Sequence, residues 1–335
     1  MAVEMGVTMK KKGSTFILLI TLLVIGIFFS ISVGSVSVSL KEIFDGIINN
    51  SGGKGGIVRD IRIPRVIMAV LVGANLSVAG VLLQGVMRNP LADPGITGIS
   101  SGAGLVVMIV MLYFPAATSA IPLFGFLGGI LACILIYFLA WKNGIMAVRI
   151  ILAGVAVNAM LGGATSMISI LNSESLSGVL TWLNGSLGNK SWLQVKMMLI
   201  YTVVGLVLAI PLSKSCNILA LGDKNTKSLG FNPNVLRIVI SMVAVFLAGI
   251  STAYVGIIGF IGLVVPHISR MLIGSDHKIL IPFSALFGSL VLLIADTLGR
   301  TLSAPYEIPV GIIMTVIGGP FFLYLLRKDS GNYGN

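Results

Sequence analysis

The sequence predicts an all-α, polytopic membrane protein of about ten transmembrane helices with both termini on the cytoplasmic side. Three observations lead there. Of the 335 residues 56% are hydrophobic and only 10% charged, and the mean hydropathy of +1.04 lies outside the range of soluble domains. Apolar stretches of 18 or more residues recur from end to end, each long enough to cross a ~30 Å hydrocarbon core as a helix. Lysine and arginine are unevenly shared between alternate connections. Helices are the expected form because lipid offers backbone groups no hydrogen-bond partners and the alternation of a barrel is missing from the sequence.

The expected spans are residues 15–36, 64–87, 94–114, 120–141, 148–171, 192–212, 233–253, 256–273, 279–299 and 308–326. The first, in "MKKKGSTFILLITLLVIGIFF", has the basic and apolar regions of a signal peptide. Its apolar run continues to about Val36 without a small-x-small cleavage site, so an uncleaved span is expected. The second carries small residues at Ala69, Gly73, Ser77 and Gly80, a face on which another helix can approach closely. Asp93 followed by Pro94 opens the third, because a carboxylate can cap free N–H groups and proline in the first turn loses no bond. Gly95, Gly98, Ser101, Gly102 and Ala103 then form a second stripe nearly devoid of side chains. Asn232 and Pro233 repeat the cap-plus-proline start at the seventh span, which meets the eighth at "AYVG". A single domain over 1–335 is expected, since no linker, low-complexity tract or repeat of 20 to 50 residues interrupts the pattern.

With the N-terminus inside, fourteen of the 22 basic residues fall on the cytoplasmic side, which sets the orientation. Topological bias thus accounts for most of the +11 net charge, and nucleic acid is not an expected partner. The outer exceptions Arg59, Arg62, Arg65 and Arg300 cluster at the outer ends of two spans. Each would cost about 2.5 to 3.5 kcal/mol at mid-membrane, so they belong at an interface or against protein. Headgroup anchoring is the plain explanation for any one of them.

Chemistry is sparse. Cys133 and Cys216 lie far apart in different settings and read as small fillers, not as a disulfide or metal site. No metal cluster is legible, and the two histidines, His267 and His277, fall near the inner surface. An enzyme would need paired carboxylates, metal-spaced histidines or a nucleophile and base, and none assemble. An ion-coupled carrier would place acidic groups mid-membrane, yet Asp93, Asp296 and Glu307 all fall at expected span ends. The phosphate-cradling "GxxxxGK[ST]" loop is absent as well; "SGGKGG" at 51–56 lacks its spacing. Any ATP would have to be hydrolysed on another subunit.

The run "RIPRVIMAVLVGANLSVAGVLLQGVMRNPLADPGITGISSGAG" resembles the hallmark of the FecCD-type permeases, the membrane subunits of ABC importers for iron-siderophores, haem and vitamin B12. The likeness continues in "WLNGSL" (182–187), "LGDKNTKSLGFN" (221–232), "GFIGLVVPHISR" (259–270), "ADTLGR" (295–300) and "EIPVGIIMTVIGGPFFLYLL" (307–326), covering roughly residues 60 to 326 in order. It implies a permease of the vitamin B12 importer type in a bacterial cell membrane, with Arg88, Asn89, Pro90, Asp93, Pro94, Pro266 and His267 as structural motif residues. It implies an ATPase-coupling segment at about 214–232, with Leu221, Gly222, Asp223, Lys224, Ser228, Leu229 and Gly230 at the contact. Arg62, Arg65 and Arg300 are expected to receive acidic residues of an extracytoplasmic binding protein, a task suited to a forked, permanently charged group. The fifth and tenth spans are expected to line a path between two permease chains, identical or merely similar, with Trp141, Lys142, Asn143, Gly144 and Asn158 at the path or its inner gate. The implied partners are two ATP-binding subunits carrying ATP and Mg, the binding protein, the second permease and membrane lipid. No cofactor is expected on the chain itself, and the expected cargo is a ferric siderophore, with vitamin B12 or haem as alternatives.

Overall fold

The computed structural model describes residues 2–34, 54–142, 144 and 146–329. Its described elements are helical, and each expected span meets one helix. α1 is Ala2–Ser32, α2 Ile63–Met87, α3 Ile99–Tyr113, α4 Ile121–Ala140 and α5 Ala147–Leu171. A short α6, Ser177–Leu183, precedes α7, Trp192–Ala220, and α8, Asp223–Ser228. The chain then continues as α9, Pro233–Val255, α10, Ile261–Ile273, α11, His277–Thr301, and α12, Val310–Asp329. Seven of these helical stretches are long and apolar enough to cross a membrane, and Ile99–Tyr113, Ile261–Ile273 and Val310–Tyr324 are shorter apolar helices.

α2 is the hub, and side chains are buried on every face of it, from Pro64 to Met87. It packs against α11, α9, α7 and α10, so nearly all of its surface is covered by protein. Apolar burial from water cannot drive such contacts in lipid; close backbone approach and dispersion must. The small-residue stripe supplies that approach. Gly73 and Ser77 meet Gly288 of α11, and Gly80 meets the backbone of Gly262 in α10. Ser289 Oγ donates to Val70 O at 2.7 Å across the first of these contacts. The second stripe works the same way, with Gly102 of α3 against Gly128 of α4. A Cβ at Gly80 would overlap the Gly262 carbonyl. Gly80→Ala is therefore expected to lower the melting temperature of the detergent-solubilised protein by several degrees, the consequence of about 1–3 kcal/mol of overpacking. An unchanged melting curve would show that α10 can slide aside.

Several boundaries differ from expectation, among them α1, which is Ala2–Ser32 where 15–36 was expected. α3 does not begin at Pro94: Pro94–Thr97 is a separate 3-10 turn, ended by Gly98 at φ +80°. The left-handed turn redirects the chain, and a fresh helix starts at Ile99. α10 begins at Ile261, not 256, because Gly256 (φ +80°) and Phe260 (φ +65°) take the backbone out of helix in between. α7 runs through Pro211 to Ala220, so the first part of the expected coupling segment is the continuation of a membrane helix. Asn232 caps α9 as expected, accepting from Asn234 N at 3.0 Å, whereas Asp93, accepting from Gly95 N at 2.8 Å, caps the 3-10 turn and not α3.

Candidate functional site

Two polar clusters stand at opposite ends of the hub helix. At its C-terminal end, Arg88 closes α2 in the left-handed conformation, φ +48°, and directs the chain into Asn89–Asp93. Asn89 steadies this turn by accepting from Leu91 N at 2.9 Å. Gln84, unmarked in the sequence reading, donates to both Ala92 O and Gly262 O at 3.2 Å, tying the turn to α10. Pro94 packs on Gly262, and Asn158 of α5 donates to Gly95 O at 3.0 Å while accepting from Ser101 Oγ at 2.5 Å. Asn158 thus pins α5 to the 3-10 turn and borders a cavity of about 300 Å³ beside Asp93. Pro266 is buried within α10, and the His267 ring meets Phe321 of α12 edge-on with centroids 6.4 Å apart.

The residues expected to couple to an ATPase lie next to this turn. Gly222, at φ +93°, has Arg88 as its nearest neighbour, and α8 follows directly. Thr226 is fully buried and its hydroxyl donates to Ile218 O (3.0 Å) and Gly222 O (2.8 Å), fastening α8 to the end of α7. Asp223 accepts from Arg237 of α9 at 2.6 and 3.1 Å, and Gly230 (φ +83°) returns the chain toward α9. Leu221, Leu229 and Phe231 remain 55%, 56% and 45% exposed, with Lys224 and Ser228 also outward. A rigid stub carrying exposed leucines is an arrangement suited to docking, because little ordering is left to do on contact.

In the α4–α5 turn, Trp141 lies in a groove between α4 and α9, and Arg149 donates to Lys142 O at 2.7 Å. Gly144 takes φ +121° beside Asn234, while Asn143 lies outside the described residues.

At the other end of α2 the three expected arginines come together, but as an internal network. All are buried, at 5%, 8% and 6% exposure for Arg62, Arg65 and Arg300. Arg62 donates to Ile31 O (2.6 Å) and Ser32 O (3.0 Å); Arg300 donates to Val33 O (2.7 Å), Ser30 Oγ (2.7 Å) and Ser30 O. Apart from the Ser30 hydroxyl, these are the carbonyls at and just past the C-terminal end of α1, which have no partners within the helix and carry the negative end of its dipole. Arg65 grips Asp296 through Nε and Nη2 at 3.0–3.1 Å and reaches half-exposed Glu307 at 2.8 Å. Asp296 also faces Arg300 Nε at 3.5 Å. The resemblance implies outward sockets here; the structure commits most of these donors to holding α1, α2 and α11 together. Glu307 and Lys190 complete the cluster, and neither was singled out as a partner in advance.

Lys190 Nζ donates to Tyr254 O at 2.8 Å, and burial together with the Arg65 charge depresses its pKa to about 8. A base whose folded-state pKa is lowered makes the unfolded chain bind more protons above that value, so stability should rise between about pH 8 and 10.5. Lys190→Met is expected to flatten that rise in a melting-temperature series. A slope identical to that of the native chain would remove Lys190 as its source.

Among the described residues no group of three or more His, Cys, Asp or Glu side chains is placed to hold a metal ion.

The FecCD transport family model matches residues 22–328. The chain is 41% identical over 324 residues to the Fe(3+)-citrate import system permease protein YfmD of Bacillus subtilis (strain 168), covering 95% of this chain and 97% of that one. It is 36% identical over 322 residues to the probable heme-iron transport system permease protein IsdF of Staphylococcus aureus (strain Newman), covering 96% and 98%. A solved metal-chelate type ABC transporter in an inward-facing conformation superposes with a TM-score of 0.85 at 29% identity, over 94% of this chain and 99% of that one. Family model, relatives and solved structure each match over most of the chain, and the chain belongs to the FecCD transport family, the permeases of ABC importers.

Proposed function

We propose that this chain is the permease through which a ferric chelate of the siderophore or citrate type enters a bacterial cell across the cytoplasmic membrane, driven by ATP hydrolysed with Mg on a separate subunit. The observation that carries the reading is the coupling turn: exposed Leu221 and Leu229 on a stub locked to α7 by Thr226 and to α9 by Arg237. Force applied there by an ATPase would pass directly into two long helices. In this reading the turn and both termini lie on the cytoplasmic side, and the seven long and three shorter apolar helices together make up the membrane part. A second permease chain would meet α5 and α12. α5 presents Leu152, Val155, Met167 and Ile170 outward, and Gly162 and Gly163 have nothing within 4 Å of an added Cβ; α12 does the same with Val316, Leu323 and Gly319. The α4–α5 turn would close the inner end of that path. Iron is favoured as cargo because relatives over nearly the full length are named for Fe(3+)-citrate and heme-iron import.

The outer cluster would receive a substrate-binding protein, with a carboxylate of that protein displacing half-exposed Glu307 from Arg65 while Asp296 stays in place. Glu307→Gln is then expected to tighten capture of the loaded binding protein severalfold, as measured by surface-immobilised binding, because the competing charge is gone. Weakened capture would indicate that Glu307 itself makes the contact. The function as a whole is tested by uptake of radiolabelled iron from ferric citrate and several siderophores in cells carrying the permease with its ATPase. Iron should accumulate only while the ATPase is catalytically intact. Uphill movement by the purified chain alone in vesicles would reject the reading.

A further inference from the structure

Between α4 and α9 lies a groove of about 610 Å³, of whose lining only Trp141 figures in the roles above. Its volume falls within the range of about 300–1,000 Å³ found for ligand pockets. Cys133, Ser241 and Val245 form a buried floor, and Ile134, Phe138, Trp141 and Met242 form an exposed rim. The hydroxyl groups it contains are turned on each other, Tyr137 OH donating to Ser241 Oγ at 2.7 Å, so the wall offers an occupant no unsatisfied side-chain hydroxyl. One end is shut by Phe126 and Phe246, packed edge to face at 6.2 Å. The other opens at Trp141, the last turn before the connection to α5. From Phe126 to Trp141 the groove runs roughly 22 Å at 1.5 Å per residue, enough for a chain filling one leaflet of about 15 Å.

The open end is positively charged. Lys142 follows Trp141 and is exposed, and Arg149 donates to the Lys142 carbonyl. No acidic residue occurs anywhere between Asp93 and Glu174, and neither base makes an ion pair among the described residues. The acidic residue of the neighbouring α8, Asp223, is held by Arg237. An apolar slot of acyl-chain length, a tryptophan at its mouth and two basic side chains beyond it match the sequence of chemistries in an anionic phospholipid.

We propose that the α4–α9 groove seats one acyl chain of an anionic phospholipid, with its phosphate held at Lys142 and Arg149. The choice of the cytoplasmic leaflet rests on the topology proposed above; occupancy of the groove does not. A lipid bound there would sit against the α4–α5 turn and the start of α9, two elements that transport would have to move.

The test uses the full chain with Trp182→Phe and Trp192→Phe, leaving Trp141 as the sole tryptophan, reconstituted in phosphatidylcholine vesicles. Trp141 fluorescence is measured with brominated-chain phosphatidylglycerol or brominated-chain phosphatidylcholine at equal mole fractions. Quenching is expected at lower mole fraction for the anionic lipid, by roughly fivefold per basic residue, and Lys142→Gln with Arg149→Gln should erase the difference while both lipids still quench. Equal quenching by the two lipids before those changes would mean unselective annular contact and would overturn the proposal. So would the absence of quenching by either, which would mean that protein, such as a second permease chain, covers the groove. Should the tryptophan-reduced chain fail to fold, native mass spectrometry of the unaltered protein answers the same question: retained phosphatidylglycerol that disappears in Lys142→Gln/Arg149→Gln supports the site, and retention unaffected by those changes defeats it. Neither readout depends on iron uptake, so failure here is distinct from failure of the importer reading.

Discussion

Asp296→Ala is expected to destabilise the protein more than any other single substitution in the arginine cluster at the N-terminal end of α2. Its side chain is 1% exposed and faces two guanidinium groups, Arg65 at 3.0 Å and Arg300 at 3.5 Å. Removing one member of a buried pair leaves the other charge without compensation, which costs about 3–5 kcal/mol. Arg65 would keep only half-exposed Glu307, and Arg300 only the neutral oxygens of Ser30 and Val33 at the end of α1. The melting temperature in detergent should fall steeply, and α1 should become more accessible to protease. Charge is the cause only if its joint removal helps, so the double change Arg65→Met with Asp296→Met should recover a large part of the loss, since well-packed apolar replacements of buried pairs are often neutral. A double variant no better than Asp296→Ala would assign the effect to packing and refute the electrostatic account.

The helices were legible because lipid simplifies the code. A span must be long, apolar and helical, and Asp93 and Asn232 cap their elements as their residue types require. Depth was not legible. Nothing in "ADPGITGISS" distinguishes a helix starting at Pro94 from a 3-10 turn followed by a new start, since the outcome depends on which glycine goes left-handed, and Gly98 does so where it fits against Ala132 and Ile136 of α4. The same holds for α10, whose start is set by Gly256 packing on the Trp182 carbonyl. For the candidate sites, residue type identified the arginines but not their partners. Arg65 is separated from Asp296 by 231 positions, and whether a guanidinium at a span end faces a lipid headgroup, another protein or a buried carboxylate is a property of the tertiary structure. Gln84 illustrates a different blind spot: an uncharged amide in an apolar helix gives no warning that it bridges two other segments.

If the turn at 221–230 couples to an ATPase as proposed, the largest functional effect is expected there: Leu221→Asp together with Leu229→Asp should abolish the proposed iron uptake. Both leucines are more than half exposed, so the chain should insert and melt as the native protein does. Burying a leucine contributes roughly 1.5–3 kcal/mol, and two per permease chain imply a loss of at least 100-fold in ATPase affinity, aggravated by carboxylates that would have to lose water at the contact. Co-purification with the ATPase reads this directly. Transmission is separable from docking through Thr226, which is buried and whose hydroxyl bonds to α7 and to its own turn. Thr226→Val removes both hydroxyl bonds without altering the exposed surface, so association should persist while uptake per ATP hydrolysed declines. If instead the double aspartate variant keeps its ATPase, the contact lies elsewhere. If Thr226→Val transports at the native coupling ratio, the stub need not be rigid, and motion must enter the membrane helices by a route other than α8.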